Sequence, residues 1–165
     1  MNHPLFPKSP YLNQAKFDFS TVFSSPIKVA SIENLEVKRR QLGLPFVLPS
    51  NRKEAFFVRS RSTDGSIGLS VAHSRIKHFY PILKQLVIPF FIGKDIRDLP
   101  SLIDEVYVFQ SNYKLSGLAL WCCIAWVEIS LLDLLGKQVD QPIAQLLGGT
   151  LPDEIPIYLS SLRRD

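Results

Sequence analysis

The chain has 165 residues, of which 46% are hydrophobic and 21% charged, with a formal net charge of +4 and a pI near 9.1. That is ordinary globular composition with enough chain for one domain and a sizeable core, which argues against a disordered or fibrous protein. The basic residues are spread out, and only Lys38-Arg39-Arg40 and Arg163-Arg164 cluster, so a solvated basic surface is expected and no nucleic-acid partner.

Residues 1–26 hold four prolines and follow no period of two or 3.6, so they read as an irregular N-terminal extension, laid along the domain by Phe17, Phe19 and Phe23. No basic start followed by an apolar run appears there, and by default a cytoplasmic location is expected. From Ile27 to Val37 an imperfect alternation suits a first strand. Residues 39–51 are apolar but broken by Gly43, Pro45 and Pro49, which makes a loop that packs on something. Residues 55–62 form a second strand, with Phe57, Arg59 and Arg61 on one face and Phe56, Val58 and Ser60 on the other. Asp64-Gly65 is a hairpin signal, and residues 67–71 return as a third strand.

Residues 72–79 link sheet to helices. A helix is expected over 80–88, with Pro81 in its first turn and Pro89 as its end. Residues 90–95 then form a short connector with a glycine stop. Asp98 is expected to cap the next helix, with Pro100 in the first turn and Leu102, Ile103, Val106 and Val108-Phe109 on its buried side. Residues 112–116 are a polar connection.

Residues 117–149 are the centre of the chain. Leu120, Ile124, Val127, Leu131 and Leu134 recur at helical spacing, and Trp121, Ala125 and Leu132 make the opposite side apolar too, so this helix should be buried. Glu128 and Asp133 interrupt the run, which reads as too short and too broken for a membrane span. Gly136 is expected to stop the helix, with Lys137 near its negative end. Pro142 starts a short second helix that Gly148-Gly149 closes. Cys122 and Cys123 are adjacent, fit neither a zinc nor a disulfide pattern, and read as buried thiols. Strands followed by helices give an α+β fold: a three-stranded antiparallel sheet followed by a helical bundle.

Ala125, Glu128, Ile129, Leu132, Asp133, Leu134, Gly136, Lys137, Pro142, Leu146, Leu147, Gly148 and Gly149 together carry a resemblance. The stretch resembles the end of the N-terminal capping domain in the mandelate racemase and muconate lactonizing enzyme group of the enolase superfamily. Ile155-Pro156-Ile157-Tyr158 resembles the first barrel strand of that group. The resemblance extends back to about Ile27, which gives a capping domain over 27–149 and a first strand of an otherwise absent (β/α)8 barrel over 150–165. It implies a Mg2+-dependent isomerase, dehydratase or cycloisomerase that removes a proton beside the carboxylate of a carboxylic or sugar acid. It also implies that the catalytic bases and metal ligands lie on later barrel strands, so no catalytic residue or bound metal is expected in this chain and the chain alone should be inactive.

In the resembled group two cap loops close over the barrel mouth and contact substrate. They correspond here to residues 39–51 and 72–78, with Arg40, Phe46, His73 and Arg75 as candidate substrate contacts. A guanidinium suits a carboxylate and a histidine titrates near neutrality. The group's Gly-Trp-Gly-Glu-like run after the hairpin is replaced by Gly68-Leu69-Ser70-Val71, which lacks the acidic residue. A barrel-domain partner or a homo-oligomer is expected in the complete protein. The alternative is a non-catalytic binding or scaffold module whose apolar surface, including residues 155–159, holds another chain.

Overall fold

A computed structural model describes residues 18–38, 54–115, 117–149, 154 and 156. Arg40, Phe46 and, Pro156 apart, the strand expected at 155–159 lie outside these.

The expected α+β order is present. Three antiparallel strands, β1 (Val29–Lys38), β2 (Glu54–Ser62) and β3 (Ile67–Ala72), form a sheet in the order β1-β2-β3. The period-two pattern of β2 is obeyed: Phe56, Val58, Ser60 and Ser62 face inward and are buried, whereas Phe57, Arg59 and Arg61 are half-exposed on the other face. The β2–β3 turn is built by Asp64, whose carboxylate accepts from the Ser66 N–H at 3.0 Å and from the Ser62 hydroxyl.

The helices follow as α1 (Ile76–Ile82), α2 (Ile88–Phe91), α3 (Leu99–Val108), α4 (Leu118–Gln138) and α5 (Ile143–Leu146). The first helical segment differs from expectation. It begins four residues earlier than Tyr80, carries Pro81 in its interior, and continues past Pro89. A π-helical turn over Leu83–Val87 joins α1 to α2, with the Ile88 N–H donating back to the Leu83 carbonyl. Pro89 cannot donate and its ring would collide with the carbonyl four residues back; the wider turn just before it relieves that collision. The stop comes instead at Ile92, where the backbone becomes extended.

Asp98 makes no side-chain cap on α3. The capping falls to Asp95, whose Oδ1 accepts from the Arg97 N–H at 3.2 Å and from the Ile27 N–H at 3.1 Å. Arg97 closes on Asp95 through Nη2 to Oδ2 at 2.7 Å and Nε to Oδ2 at 2.9 Å and Oδ1 at 3.2 Å, and its Nη1 donates to the Phe23 carbonyl at 3.2 Å. Phe19 and Phe23 are buried beside this cluster, so the residues just before β1 are tied down as expected. Within α3, Leu99, Leu102 and Val106 are buried, but Val108 is exposed. The connection into α4 is a 3-10 segment, Phe109–Leu115, in which Asn112 is buried and its amide nitrogen donates to the Val106 carbonyl at 2.9 Å.

Helix α4 lies across the inner face of β2 and β3. Four small residues let it come close. Ser70 donates to the Trp126 carbonyl at 2.6 Å, and Ser130 donates to the Val127 carbonyl at 2.7 Å. The Ser130 hydroxyl hydrogen being used, Ser60 is the donor in the 2.6 Å bond between the two hydroxyls. At Gly68 a Cβ would sit 1.9 Å from the Ser130 carbonyl oxygen and 2.6 Å from the Leu134 nitrogen. The helix is longer than expected: Gly136 lies inside it and the end comes after Gln138. Gly136 is needed because a Cβ there would be 2.6 Å from the Gln141 carbonyl oxygen, where the chain folds back towards α5. By length and composition α4, at 21 residues, meets the requirement for crossing a membrane, contrary to the expectation that it is too short. Its packing on the sheet makes it the core helix of the domain, with Leu120, Ile124, Val127, Leu131, Leu134 and Leu135 all buried.

Two outcomes follow. Gly68→Ala must push the helix off the sheet backbone and should lower unfolding stability by about 3 kcal/mol, the upper end of overpacking costs, read by urea denaturation. Asp95 gives a pH dependence. Burial raises its carboxyl pKa, but hydrogen bonds from the Arg97 side chain and from the Arg97 and Ile27 N–H groups outweigh this and hold it below the ordinary value. A depressed carboxylate stabilises the fold above its unfolded pKa and loses that contribution as pH falls through the folded one. Asp95→Asn should therefore lower Tm at pH 7, and the gap to the parent should shrink as the pH drops below about 4.

Candidate functional site

The sheet has two functional ends. At one, β1 finishes at Lys38, β2 begins at Glu54 and β3 finishes at Ala72, so both expected loops leave from the same place. Lys77, on the first turn of α1, ties this end together. Its Nζ lies 3.2 Å from Glu36 Oε1 on β1 and 3.0 Å from Glu54 Oε2 on β2, and 4.9 Å above the Phe56 ring. The hydrogen bond from Lys77 and its charge hold the Glu54 carboxyl below the usual range, and the Lys77 ammonium is raised in turn, by Glu54 first and Glu36 second. These groups are well exposed, so the clamp contributes little to stability; it fixes the direction of the strand ends.

His73 and Arg75 stand on the turn between β3 and α1, both exposed. The Arg75 N–H donates to His73 Nδ1 at 3.1 Å, and the His73 carbonyl accepts from the Ile76 N–H at 2.9 Å. This turn holds the imidazole and the guanidinium two residues apart at the rim of the sheet end, next to Lys77. At this rim Arg75 offers a guanidinium whose geometry suits a carboxylate, while Lys77 is already engaged by two carboxylates. Lys77, Glu36 and Glu54 carried no local sequence signal, because their meeting depends on the registration of three separate elements. Arg40 and Phe46 fall in the connection outside the described residues. Among the described residues, no three His, Cys, Asp or Glu side chains gather in a way that fits a metal ion.

Asp133 and Lys137 turn out to serve the other end of β3. As an edge strand, β3 has an unpaired side. Asp133 Oδ2 accepts from the Leu69 N–H at 2.8 Å and from Lys137 Nζ at 2.6 Å, and Lys137 reaches the Ile67 carbonyl at 3.5 Å. The pair does not merely fix the helical turn; it satisfies the free edge of the sheet. Glu128, which interrupts the apolar run of α4, has no hydrogen bond or ion pair among the described residues, and burial raises its pKa. Cys123 is buried and its thiol is pushed up to about 12, by burial first and by neighbouring Cys122 second, so it stays protonated.

A three-stranded meander capped by a helical bundle, closed by a long helix that guards the sheet edge, defines an enolase-type N-terminal domain. Residues 37–148 match the family model for the mandelate racemase / muconate lactonizing enzyme N-terminal domain, and the chain belongs to that family. Among curated proteins it is similar to an L-rhamnonate dehydratase of Saccharopolyspora erythraea, 32% identical over 108 residues, which are 66% of this chain and 27% of the relative. It is also similar to a D-galactonate dehydratase family member of Paenibacillus sp. strain JDR-2, 35% identical over 77 residues, 47% of this chain and 18% of that protein. The chain thus spans about a quarter or less of the length of these relatives. A solved mandelate racemase/muconate lactonizing protein from Paracoccus denitrificans PD1222, complexed with magnesium, matches with a TM-score of 0.56 and 28% identity over 74% of this chain and 31% of that one. A muconate cycloisomerase from Azorhizobium caulinodans shares the fold at a TM-score of 0.62 and 22% identity, over 81% of this chain and 34% of its own.

Asp133→Ala should leave the Leu69 N–H without its acceptor and cost about 1–3 kcal/mol. Hydrogen exchange should show faster exchange at Leu69 than in the parent, and an unchanged rate would contradict the edge-sealing role.

Proposed function

We propose that this chain is the capping, substrate-selecting part of a longer cytoplasmic enzyme that acts on a carboxylic or sugar acid by removing the proton beside the carboxylate. The reaction is an isomerisation, dehydration or cycloisomerisation. In this reading Mg2+ in a barrel domain stabilises the negative charge that develops on the carboxylate side of the substrate. Among the described residues no three His, Cys, Asp or Glu side chains gather to hold that ion, and in this reading the proton chemistry belongs to the barrel.

The observation that carries the reading is the common exit of both connections from one end of the sheet, tied by Lys77 across Glu36 and Glu54. Residues 27–149 act as the cap and residues 150–165 open the barrel. Arg75 contributes a guanidinium to the substrate carboxylate, and His73 a hydrogen bond to a hydroxyl or carboxylate oxygen. Arg40 and Phe46, from the connection between β1 and β2, supply a second cation and an apolar wall. The dehydratases of acid sugars among the relatives support the choice of substrate class.

The test begins with the mass of the native protein against 18.7 kDa. In the native form, Arg75→Gln should raise KM for an aldonic acid about 10-fold or more, the scale of a lost charge-assisted hydrogen bond, with kcat little changed. The 165-residue chain should not exchange the proton beside the carboxylate in D2O with Mg2+ present. Exchange by that chain alone, or an Arg75→Gln enzyme with unaltered KM, would refute the reading.

A further inference from the structure

The connection between β1 and β2 leaves the sheet through a narrow neck. Lys38 opposite Glu54 is the last pair of the two strands, and Glu36 stands one step further in, opposite Phe56. Glu54 and Phe56 share a face of β2, so two carboxylates flank one aromatic ring at the neck. Phe56 is 4% exposed and gives that spot a fixed floor. Lys77 lies over this floor, its ammonium 4.9 Å from the ring centroid and bonded to both carboxylates.

Lys77 belongs to the other substrate-facing segment. Only Ile76, fully buried, separates it from Arg75. The backbone on either side is held by two bonds of 2.9 Å, from the Ile76 N–H to the His73 carbonyl and from the His78 N–H to the Arg75 carbonyl. The path from the Arg75 guanidinium to the neck of the 39–53 connection is therefore short and stiff. Among the described residues, both hydrogen bonds from α1 to these strand ends are made by Lys77. Two of its three donors are spent there, and its charge is matched twice over, so it has little left to offer a substrate anion. An ammonium between two carboxylates above an aromatic face holds direction better than a single exposed pair.

We propose that Lys77 is a positioning residue that sets the 39–53 connection against the 73–78 turn, through Glu36 and Glu54 and without touching substrate. The two segments then present their side chains to a small acid as one unit. This rests on the reading of both segments as the substrate-selecting rim. A group displaced by about 1 Å from a ligand held at two points is enough to weaken its hold.

Steady-state kinetics on the native-length protein test it, with the same aldonic acid used for Arg75→Gln. Lys77→Met keeps the stem and removes the charge. It should raise KM about 5-fold, the scale of two exposed ion pairs. It should leave kcat within about a factor of two and move Tm by less than about 2 °C. Lys77→Arg should keep the KM of the parent. The decisive variant is Glu36→Gln/Glu54→Gln. A positioning lysine makes it raise KM as Lys77→Met does, with no further rise when all three substitutions are combined. A lysine that touches substrate makes it lower KM, because the ammonium is released from its two carboxylates. Glu105→Gln breaks the exposed Lys94–Glu105 pair, 3.6 Å apart near the other end of β1, and should leave KM unchanged.

An unchanged KM in Lys77→Met, a lowered KM in the double glutamine variant, an equal rise in Glu105→Gln, or a larger fall in Tm beside the KM rise would each overturn the positioning role. The two failures separate at Arg75. An unaltered KM in Arg75→Gln removes the substrate-selecting reading and this inference together. A raised KM there, beside a parental KM in Lys77→Met, removes the inference alone.

Discussion

The closeness of α4 to the sheet is the constraint on which the rest of this domain depends. Backbone meets backbone at Gly68, and the hydroxyls of Ser60, Ser70 and Ser130 stand where larger apolar side chains would hold the helix away. Each hydroxyl is fully used, so no buried polar group is stranded by the approach. Because the helix sits so low, Asp133 and Lys137 reach the edge of β3 at the Leu69 N–H and the Ile67 carbonyl. On its other flank the helix meets α1, where Trp126 stacks on Phe79 at 6.1 Å between ring centroids.

From that starting point the other fixed points are electrostatic and local. Asp95 and Arg97 gather the segment before β1, the start of β1 and the turn into α3. Lys77 gathers the opposite end of the sheet. The first is partly buried, bidentate and supported by backbone donors, the geometry in which an ion pair gains most. The second is more exposed, so its value lies in direction and not in energy. The two differ in chemistry because they serve different ends of the sheet. One closes the core at its bottom, and the other aims the rim where His73 and Arg75 stand.

Much of this was legible from the residues. The period of two in β2, the Asp-Gly turn and the helical repeat of α4 each follow from one local rule, and each appears where that rule puts it. The misplaced boundaries share one cause: glycine and proline were given their usual local meaning where tertiary contact had given them another. Pro89 sits inside helical structure because a π turn just before it makes room, and Pro81 lies within α1 and does not end it. Gly136 is a point of close approach and not a stop, and Asp98 gives up the capping role to Asp95, whose reach to Ile27 no window on the sequence could reveal. At the rim, His73 and Arg75 were visible as residue types suited to anions. The clamp beside them was not, since Glu36, Glu54 and Lys77 meet only after three elements are in register.

The clamp also bears on how such a domain can change. Lys77 grips the last residues of one strand and the first of the next, and touches neither through the chain that joins them. The joining segment can therefore lengthen, shorten or exchange its side chains without disturbing strand register, at a closure cost that grows by only about 0.6 kcal/mol for each doubling of its length. The fold separates a part free to diversify from a part that must not, with the border drawn at Glu36 and Glu54.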